Sequence, residues 1–353
     1  MQLKKSLFAG FVIVTVILIV FLAGCGQQKE KPQTAGIVIT DAAGKTVSLS
    51  RPLQRVVVLN PTIAEAMRLL EVPEEAMVGV SDNVQNVPFL GLKSKPLVGK
   101  WTEPNVEKIA ELKPEAVLTY GKYPSKEVRD KIEALGIKVI GIDFYYLDKY
   151  DEDFLRVAKI FGKEARAQQF LQWKNQPLTT VQERLAGTKN KPRVLCLWTT
   201  YFTKGTWKTF APGSSYDQAI NLARGTNLAG ELPASPETPE VSGEWVLSKN
   251  PEALVMVYTS DGLGYNTQDL NRVKELEKEV KKNPVLSKTR AIEKNRVYFL
   301  NIPGLGRFVE AIYLARWLHP EKFQDINPEQ ILKEYFEQWL KVPFKGKWAY
   351  PEA

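Results

Sequence analysis

The chain has 353 residues, 44% apolar and 25% charged, a composition that suits a folded protein of about two domains and excludes global disorder. It carries one histidine, His319, and two cysteines, Cys25 and Cys196. A disulfide scaffold and a Cys/His zinc site are therefore excluded, and a Ser-His-Asp site would have to use His319. Neither GxxxxGK[ST] nor a complete GxGxxG occurs, so both phosphate-binding fingerprints are missing.

In chain order, Lys4 and Lys5 precede an apolar run from Leu7 to Ala23 that ends in Leu22-Ala23-Gly24-Cys25. A basic start, an apolar stretch and small residues before a break describe a secretory signal over 1–24. The polar run after it, 25–35, reads as a flexible linker. Leu22 to Cys25 resembles the lipobox of bacterial lipoproteins, [LV]-[AST]-[GA]-Cys. That resemblance implies diacylation of Cys25 and anchoring to the membrane, since two acyl chains hold where one does not. The competing reading is an uncleaved membrane helix, for which the 18 residues from Leu7 to Gly24 are just long enough. Loss of Lys4 and Lys5 lowers the formal charge from +8 to +6. The remaining excess is scattered, which suits a solvated surface and no nucleic-acid partner.

Strand and helix alternate from residue 36 onward. Ile37 to Leu49 alternates around Asp41–Gly44, a hairpin signal. Val56–Leu59, Met77–Val80, Ala116–Tyr120 and Lys138–Ile142 are short apolar strands, with helices predicted after Thr62, over Val106–Leu112 and over Ser125–Leu135. The second half repeats the pattern with strands Val194–Trp198, Ala253–Tyr258 and Val297–Leu300. Its helices are predicted over Ser215–Leu222, Leu270–Val280 and Val309–Leu318. Such alternation predicts an α/β fold with mostly parallel sheets and right-handed crossovers. Cys196 sits inside an apolar strand and reads as a small core residue.

The organisation that follows is an N-terminal lobe over 36–149, a helical connection over 150–187 and a C-terminal lobe over 188–353. Gly162 and Pro177 should break or kink the connection into two or three helical pieces. A helical connection is stiff, which argues against large hinge closure. The halves share a repeat: Glu107 to Pro114 and Glu244 to Pro251 are both seven residues. Each proline is followed by Glu-Ala and an apolar strand ending in a tyrosine, Tyr120 or Tyr258.

Three segments carry a family resemblance. These are Arg55–Glu65, then Val98-Gly99-Lys100-Trp101 followed by Asn105–Val117, and Val241–Leu247. The middle one fits the pattern NxExIxxLxPDxV, with Pro114-Glu115 replacing Pro-Asp. The chain resembles the class III solute-binding proteins of bacterial and archaeal ABC importers, the group for ferric siderophores, heme and cobalamin. The resemblance spans about residues 36–345. It implies two Rossmann-like lobes joined by one long helix, with ligand in the cleft between them and no enzymatic activity. It also implies an ABC permease dimer with its cytoplasmic ATPase as partner, a monomeric binding protein, and an extracytoplasmic, lipid-anchored or periplasmic location. Glu107 and Glu244 match the family's paired acidic residues, one per lobe, that dock into arginine pockets of the permease; the role suits exposed carboxylates able to accept bidentate bonds.

Candidate ligand-binding residues lie at predicted strand ends, where open α/β sheets bind ligands. They are Asn60, Thr62, Trp101, Tyr120, Tyr145, Trp198, Tyr201, Trp207 and Arg307, with Phe144 and Tyr146 beside them. Aromatic walls suit an iron chelate, heme or a cobamide as the small-molecule metal complex bound. No resident cofactor and no protein-held metal are expected. Arg307, in a glycine-rich turn before a helix, suits an anionic group. A small metal oxyanion such as molybdate or tungstate is the alternative ligand, and a cleft enzyme a remoter one. His319 is expected to be structural, because histidine is favourable at a helix C-terminus.

Overall fold

The computed structural model describes residues 36–302 and 304–352. The expected signal peptide, the linker and Cys25 lie outside the described residues.

The chain begins with an antiparallel hairpin, β1 (Ile37–Thr40) and β2 (Thr46–Leu49). Four strands then form a parallel sheet: β3 (Val56–Val58), β4 (Met77–Val80), β5 (Ala116–Thr119) and β6 (Lys138–Gly141). Between them run α1 (Pro61–Leu69), α2 (Asp82–Gln85), α3 (Val106–Glu111) and α4 (Lys126–Ala134). Proline at the first position of α1 wastes no amide donor, and the Asn60 side chain accepts from the Thr62 amide.

Two helices follow, α5 (Tyr150–Phe161) and α6 (Glu164–Leu185). Gly162 ends α5 in the left-handed conformation at φ 64°, as its position suggests. Pro177, by contrast, does not end α6, which continues for 22 residues with the proline inside. Phe170, Leu171 and Lys174 before it and Val181 and Leu185 after it are all buried. Tertiary packing on both sides outweighs the lost hydrogen bond.

The second sheet contains β7 (Arg193–Trp198), β8 (Thr226–Asn227), β9 (Ala253–Val257), β10 (Val297–Leu300) and β11 (Ala349–Tyr350). The helices around it are α7 (Thr199–Phe202), α8 (Ser215–Leu222), α9 (Gly243–Lys249), α10 (Asn271–Lys282), α11 (Arg290–Glu293), α12 (Phe308–Leu318) and α13 (Pro328–Glu334). Its order is β11-β10-β9-β7-β8, parallel except for β11, which pairs antiparallel with β10. The first sheet runs β4-β3-β5-β6. In both, the second strand lies on one side of the first and the later strands on the other. Each sheet therefore has one topological switch point, at the carboxyl ends of β3 and β5 and of β7 and β9.

Alternation along the central strands divides the apolar residues. Val56 and Val58 of β3 join Val194 and Cys196 of β7 in one core that also takes in α1, α5, α6 and α12. Val57 and Leu59 turn the other way, onto Ile109 of α3 and Ile132 of α4. Leu195 and Leu197 turn likewise onto Val246 of α9 and Val273 and Leu276 of α10. A continuous apolar strand is what burial on both faces requires. Cys196 is a buried free thiol in that core, and burial pushes its pKa up.

Candidate functional site

On the first sheet, Trp101 lies 4.9 Å from Tyr120, which follows β5, and 5.0 Å from Tyr123. All three rings keep some exposure. The Tyr120 hydroxyl accepts from Asn83 Nδ2 at 3.1 Å. Burial, with the Asp143 and Asp82 charges adding to it, pushes the phenol up to about 12. Asn60, expected to face a ligand, has no exposed surface. Its Nδ2 donates to the Ile142 carbonyl, and its Oδ1 accepts from the Thr62 amide at 3.0 Å and hydroxyl at 2.7 Å. It is a helix cap tied to the strand-β6 end, and Thr62 is half-buried against it. Phe144 is likewise turned inward, 6% exposed and 5.9 Å from Tyr150.

On the second sheet, Trp198 at the end of β7 lies 4.6 Å from Tyr258, which follows β9, and 5.3 Å from Tyr201. Phe210 and Tyr216 complete this aromatic group. Trp207 stays apart from it. It packs on Phe202 at 5.7 Å and belongs to the apolar cluster on the far face of the sheet, with Trp245 and Val246.

Arg307 closes a helical turn, Gly304–Arg307, before α12. Its Nε lies 3.4 Å from Glu310 Oε1, and its Nη2 donates to Ser215 Oγ at 2.8 Å and lies 3.4 Å from Glu310 Oε2. The guanidinium also sits 5.3 Å over the Tyr216 ring and 5.7 Å over Tyr258. Glu310 is 1% exposed and takes a further bond, 2.7 Å, from the Tyr216 hydroxyl. Burial pushes the Glu310 carboxyl up and Arg307 holds it down. The arginine thus faces the aromatic group with its charge already matched, from within its own lobe.

The carboxyl ends of the two sheets meet through the segment after β6. Tyr145 is mostly buried and its pKa is raised, first by burial and then by Tyr258 and Glu237, while Arg307 lowers it. Tyr145 packs on Tyr146 at 4.9 Å, within the electrostatic reach of the Tyr258–Arg307 group of the second lobe. The next residue, Tyr146, donates its hydroxyl to Glu237. That bond, ahead of burial, raises the Tyr146 phenol to about 12. Asp148 and Gln218 bind each other twice, amide to Oε1 at 3.1 Å and Nε2 to Oδ1 at 2.9 Å. Deeper in, Glu65 of α1 accepts from the Leu305 amide at 3.0 Å and from the Tyr335 hydroxyl. Burial raises the Glu65 carboxyl to about 7. Gly304 is required there: its φ is +45°, and a Cβ would lie 1.7 Å from Glu65 Oε2.

Glu107 and Glu244 are exposed in the first turns of α3 and α9. Asn105 caps α3 by accepting from Lys108 N, and Ser242 caps α9 by accepting from Trp245 N. After each helix a residue with positive φ, Lys113 at 47° or Asn250 at 43°, leads into Pro-Glu. Glu115 Oε2 then accepts from Arg55 N at 2.9 Å, and Glu252 Oε2 from Arg193 N at 3.2 Å. Arg55 directly precedes β3, the first strand of its parallel sheet, and Arg193 opens β7, the first of the second sheet. The repeat read from seven-residue spacing is thus a repeat of geometry.

Sequence reasoning missed Glu237, Glu310, Tyr216 and Tyr258 as site residues. Glu310 had a readable signal, the i, i+3 spacing from Arg307. Glu237 had none, since its partner is 91 residues away. A cavity of about 940 Å³ opens beside the Asp148–Gln218 join, between α6 and α8, and is lined also by Tyr150, Lys174 and Phe308. His319 is 1% exposed, with Nε2 3.1 Å from the Ala223 carbonyl, inside the second lobe. Among the described residues no group of three His, Cys, Asp or Glu side chains is placed to hold a bare metal ion. Nor is any described helix long and apolar enough to cross a membrane.

Two parallel sheets whose carboxyl ends meet around aromatic side chains define a two-lobed solute-binding fold. The chain belongs to the periplasmic binding protein family, which matches residues 56–302. It is 25% identical over 225 residues to a cobalamin-binding protein of Halobacterium salinarum, a match that covers 63% of this chain and 59% of that protein. It is 22% identical over 319 residues to the iron-uptake system-binding protein of Bacillus subtilis, covering 87% and 95%. Among solved structures, the TroA-like periplasmic binding protein FepB of Veillonella parvula superposes with a TM-score of 0.74 at 22% identity, over 90% of this chain and all of that one.

Proposed function

We propose that this chain is the solute-binding component of an ABC importer, extracytoplasmic, and that it carries a metal complex of the siderophore, heme or cobamide kind. The observation that carries this reading is an aromatic pair at the carboxyl end of each sheet, Trp198 on Tyr258 and Trp101 on Tyr120, with the Tyr146–Glu237 bond joining the lobes beside them. Flat aromatic walls suit a large, partly apolar chelate. Relatives named for iron uptake and cobalamin binding support the same class. A small oxyanion fits less well, because the guanidinium it needs is already matched by Glu310. Catalysis is not part of the proposal: the family is one of binding proteins.

Glu107 and Glu244 are the proposed docking points for the permease. Cys25 is the proposed lipid anchor; Cys25→Ala should release the protein from membranes or block its maturation, and a membrane-bound, uncleaved variant would contradict this.

The function is tested on the purified chain from Gly26 onward, mixed in turn with hemin, cyanocobalamin and ferric siderophores and passed through gel filtration. A visible spectrum co-eluting with the protein is the expected result. Colourless protein in every case, with tryptophan fluorescence responding to molybdate alone, would move the assignment to oxyanions.

A further inference from the structure

Resting on the metal-complex reading above, a sharper statement follows from a side-chain bond that joins the two lobes beside their aromatic groups, Tyr146 to Glu237. The loop that bears Glu237 is laid on the 207–211 segment by three main-chain bonds: Ala211 N to Glu237 O at 2.9 Å, Thr209 N to Pro239 O at 3.1 Å and Val241 N to Trp207 O at 2.9 Å. So held, it presents the Glu237 carboxylate to the Tyr146 hydroxyl. Tyr145, one residue earlier, packs on the Tyr146 ring at 4.9 Å, and its phenol feels the Tyr258 and Arg307 groups of the second lobe. A ligand seated between the aromatic groups of the two lobes enters where the Tyr146–Glu237 bond now joins them.

Once parted, the two groups are unequal. A phenol can turn to water or to a neighbour. A half-buried carboxylate facing the ligand needs a donor, and leaving it without one is costly. Arg307 cannot turn to meet it without abandoning Glu310, which is 1% exposed. The surrounding charge has the same sign, since Asp143 and Asp148 both act on the Tyr146 phenol in the direction of Glu237. Against these stands Lys208, stacked 4.2 Å over the Tyr201 ring.

We propose that the Tyr146–Glu237 bond is a latch across the cleft that the ligand itself opens, and that the freed Glu237 carboxylate then accepts from the ligand. The site consequently selects metal complexes that bring a positive charge or a hydrogen-bond donor, and disfavours anionic ones. This reverses the charge preference that Arg307 suggests when read from sequence.

The test is a tryptophan-fluorescence titration with probe series that vary charge on one core. Ferrioxamine B, its N-acetyl and its N-succinyl derivatives carry +1, 0 and −1 on the same ferric chelate; aquacobalamin and cyanocobalamin carry +1 and 0 below neutral pH. Wild type should bind in the order cation, neutral, anion, with about tenfold between the ferric extremes. Glu237→Gln should compress that order to within about threefold, while Tyr146→Phe should keep the order and bind every probe a few-fold tighter, because no latch remains to be opened. Melting curves within a few degrees of wild type confirm that both variants fold. A reversed order, or an order that Glu237→Gln leaves intact, overturns the selectivity. Equal weakening by the two variants makes the pair a simple brace and overturns the latch. If no probe of either series binds wild type, it is the metal-complex reading itself that fails, and the inference with it.

Discussion

The two lobes are alike where they are built and unlike where they meet. Strand order, helix caps, the exposed glutamate two residues after each cap, the positive-φ residue and the Pro-Glu tie to the first-strand arginine recur at matched places. At the switch points the resemblance stops. The first lobe presents Trp101 and Tyr120 beside a fully buried cap, Asn60. The second presents an aromatic group organised around a buried Arg307–Glu310 pair. Shared geometry therefore belongs to the scaffold and to the exposed glutamates Glu107 and Glu244, and what differs lies at the switch points.

The largest effect should come from the matched pair. Glu107→Ala with Glu244→Ala should reduce uptake to below about a tenth of wild type while leaving ligand affinity within about twofold, since both carboxylates are exposed. Uptake in cells and titration of the purified protein check the two halves of that statement. A large loss of affinity would place these residues in the ligand site.

The unmatched pair comes next. Arg307→Ala leaves Glu310 buried and without its counter-charge, and should lower stability by about 3–5 kcal/mol. Arg307→Ala combined with Glu310→Gln should recover much of that loss, measured by urea unfolding. Additive losses would show that the charges are not coupled.

Glu65 sharpens the join between the lobes. Its carboxyl is raised from 4.5 to about 7 in the folded protein. The neutral form is thus favoured by folding, and its contribution is fully present below pH 4.5. As pH rises from 4.5 to 7 the unfolded chain ionises first and stability falls, by an amount on the order of 3 kcal/mol, then levels off. Glu65→Gln should remove that slope from the stability-against-pH curve. A variant with the wild-type slope would assign it to other groups.

The smallest effect tests equivalence directly. Glu115→Gln and Glu252→Gln should each cost about 1–2 kcal/mol, because each weakens carboxylate bonds to a strand-opening amide. Equal losses by denaturant unfolding support one inherited device; a loss in only one lobe would break the comparison.

Most of the scaffold was legible because it rests on local signals. The apolar runs Met77–Val80 and Val297–Leu300 are strands at those bounds, and Ser215–Leu222 is a helix at those bounds. The continuation of α6 through Pro177 was not, because packing from distant segments decides it. The same divide runs through the site. Trp198 and Tyr201 stand at a strand end and could be named, and they come together. Asn60 obeyed the same positional rule but is consumed by its own cap. Trp207 lies two residues before Thr209, whose hydroxyl donates to the Cys196 carbonyl, and no local signal sets its side; packing in the far-face cluster does. Glu237 lies in a proline-rich loop with no periodicity, so only the folded chain discloses its partner.

The central claim is that one ligand site is made by both lobes, and the most direct measurement is a paired titration. Trp101→Ala removes an aromatic wall from the first sheet, and Tyr258→Ala removes one from the second. Bound to whichever metal complex co-elutes with wild type, each variant should lose about tenfold or more in affinity, at unchanged 1:1 stoichiometry. Loss in only one variant, with the other binding as wild type does, would confine the site to a single lobe and contradict the account.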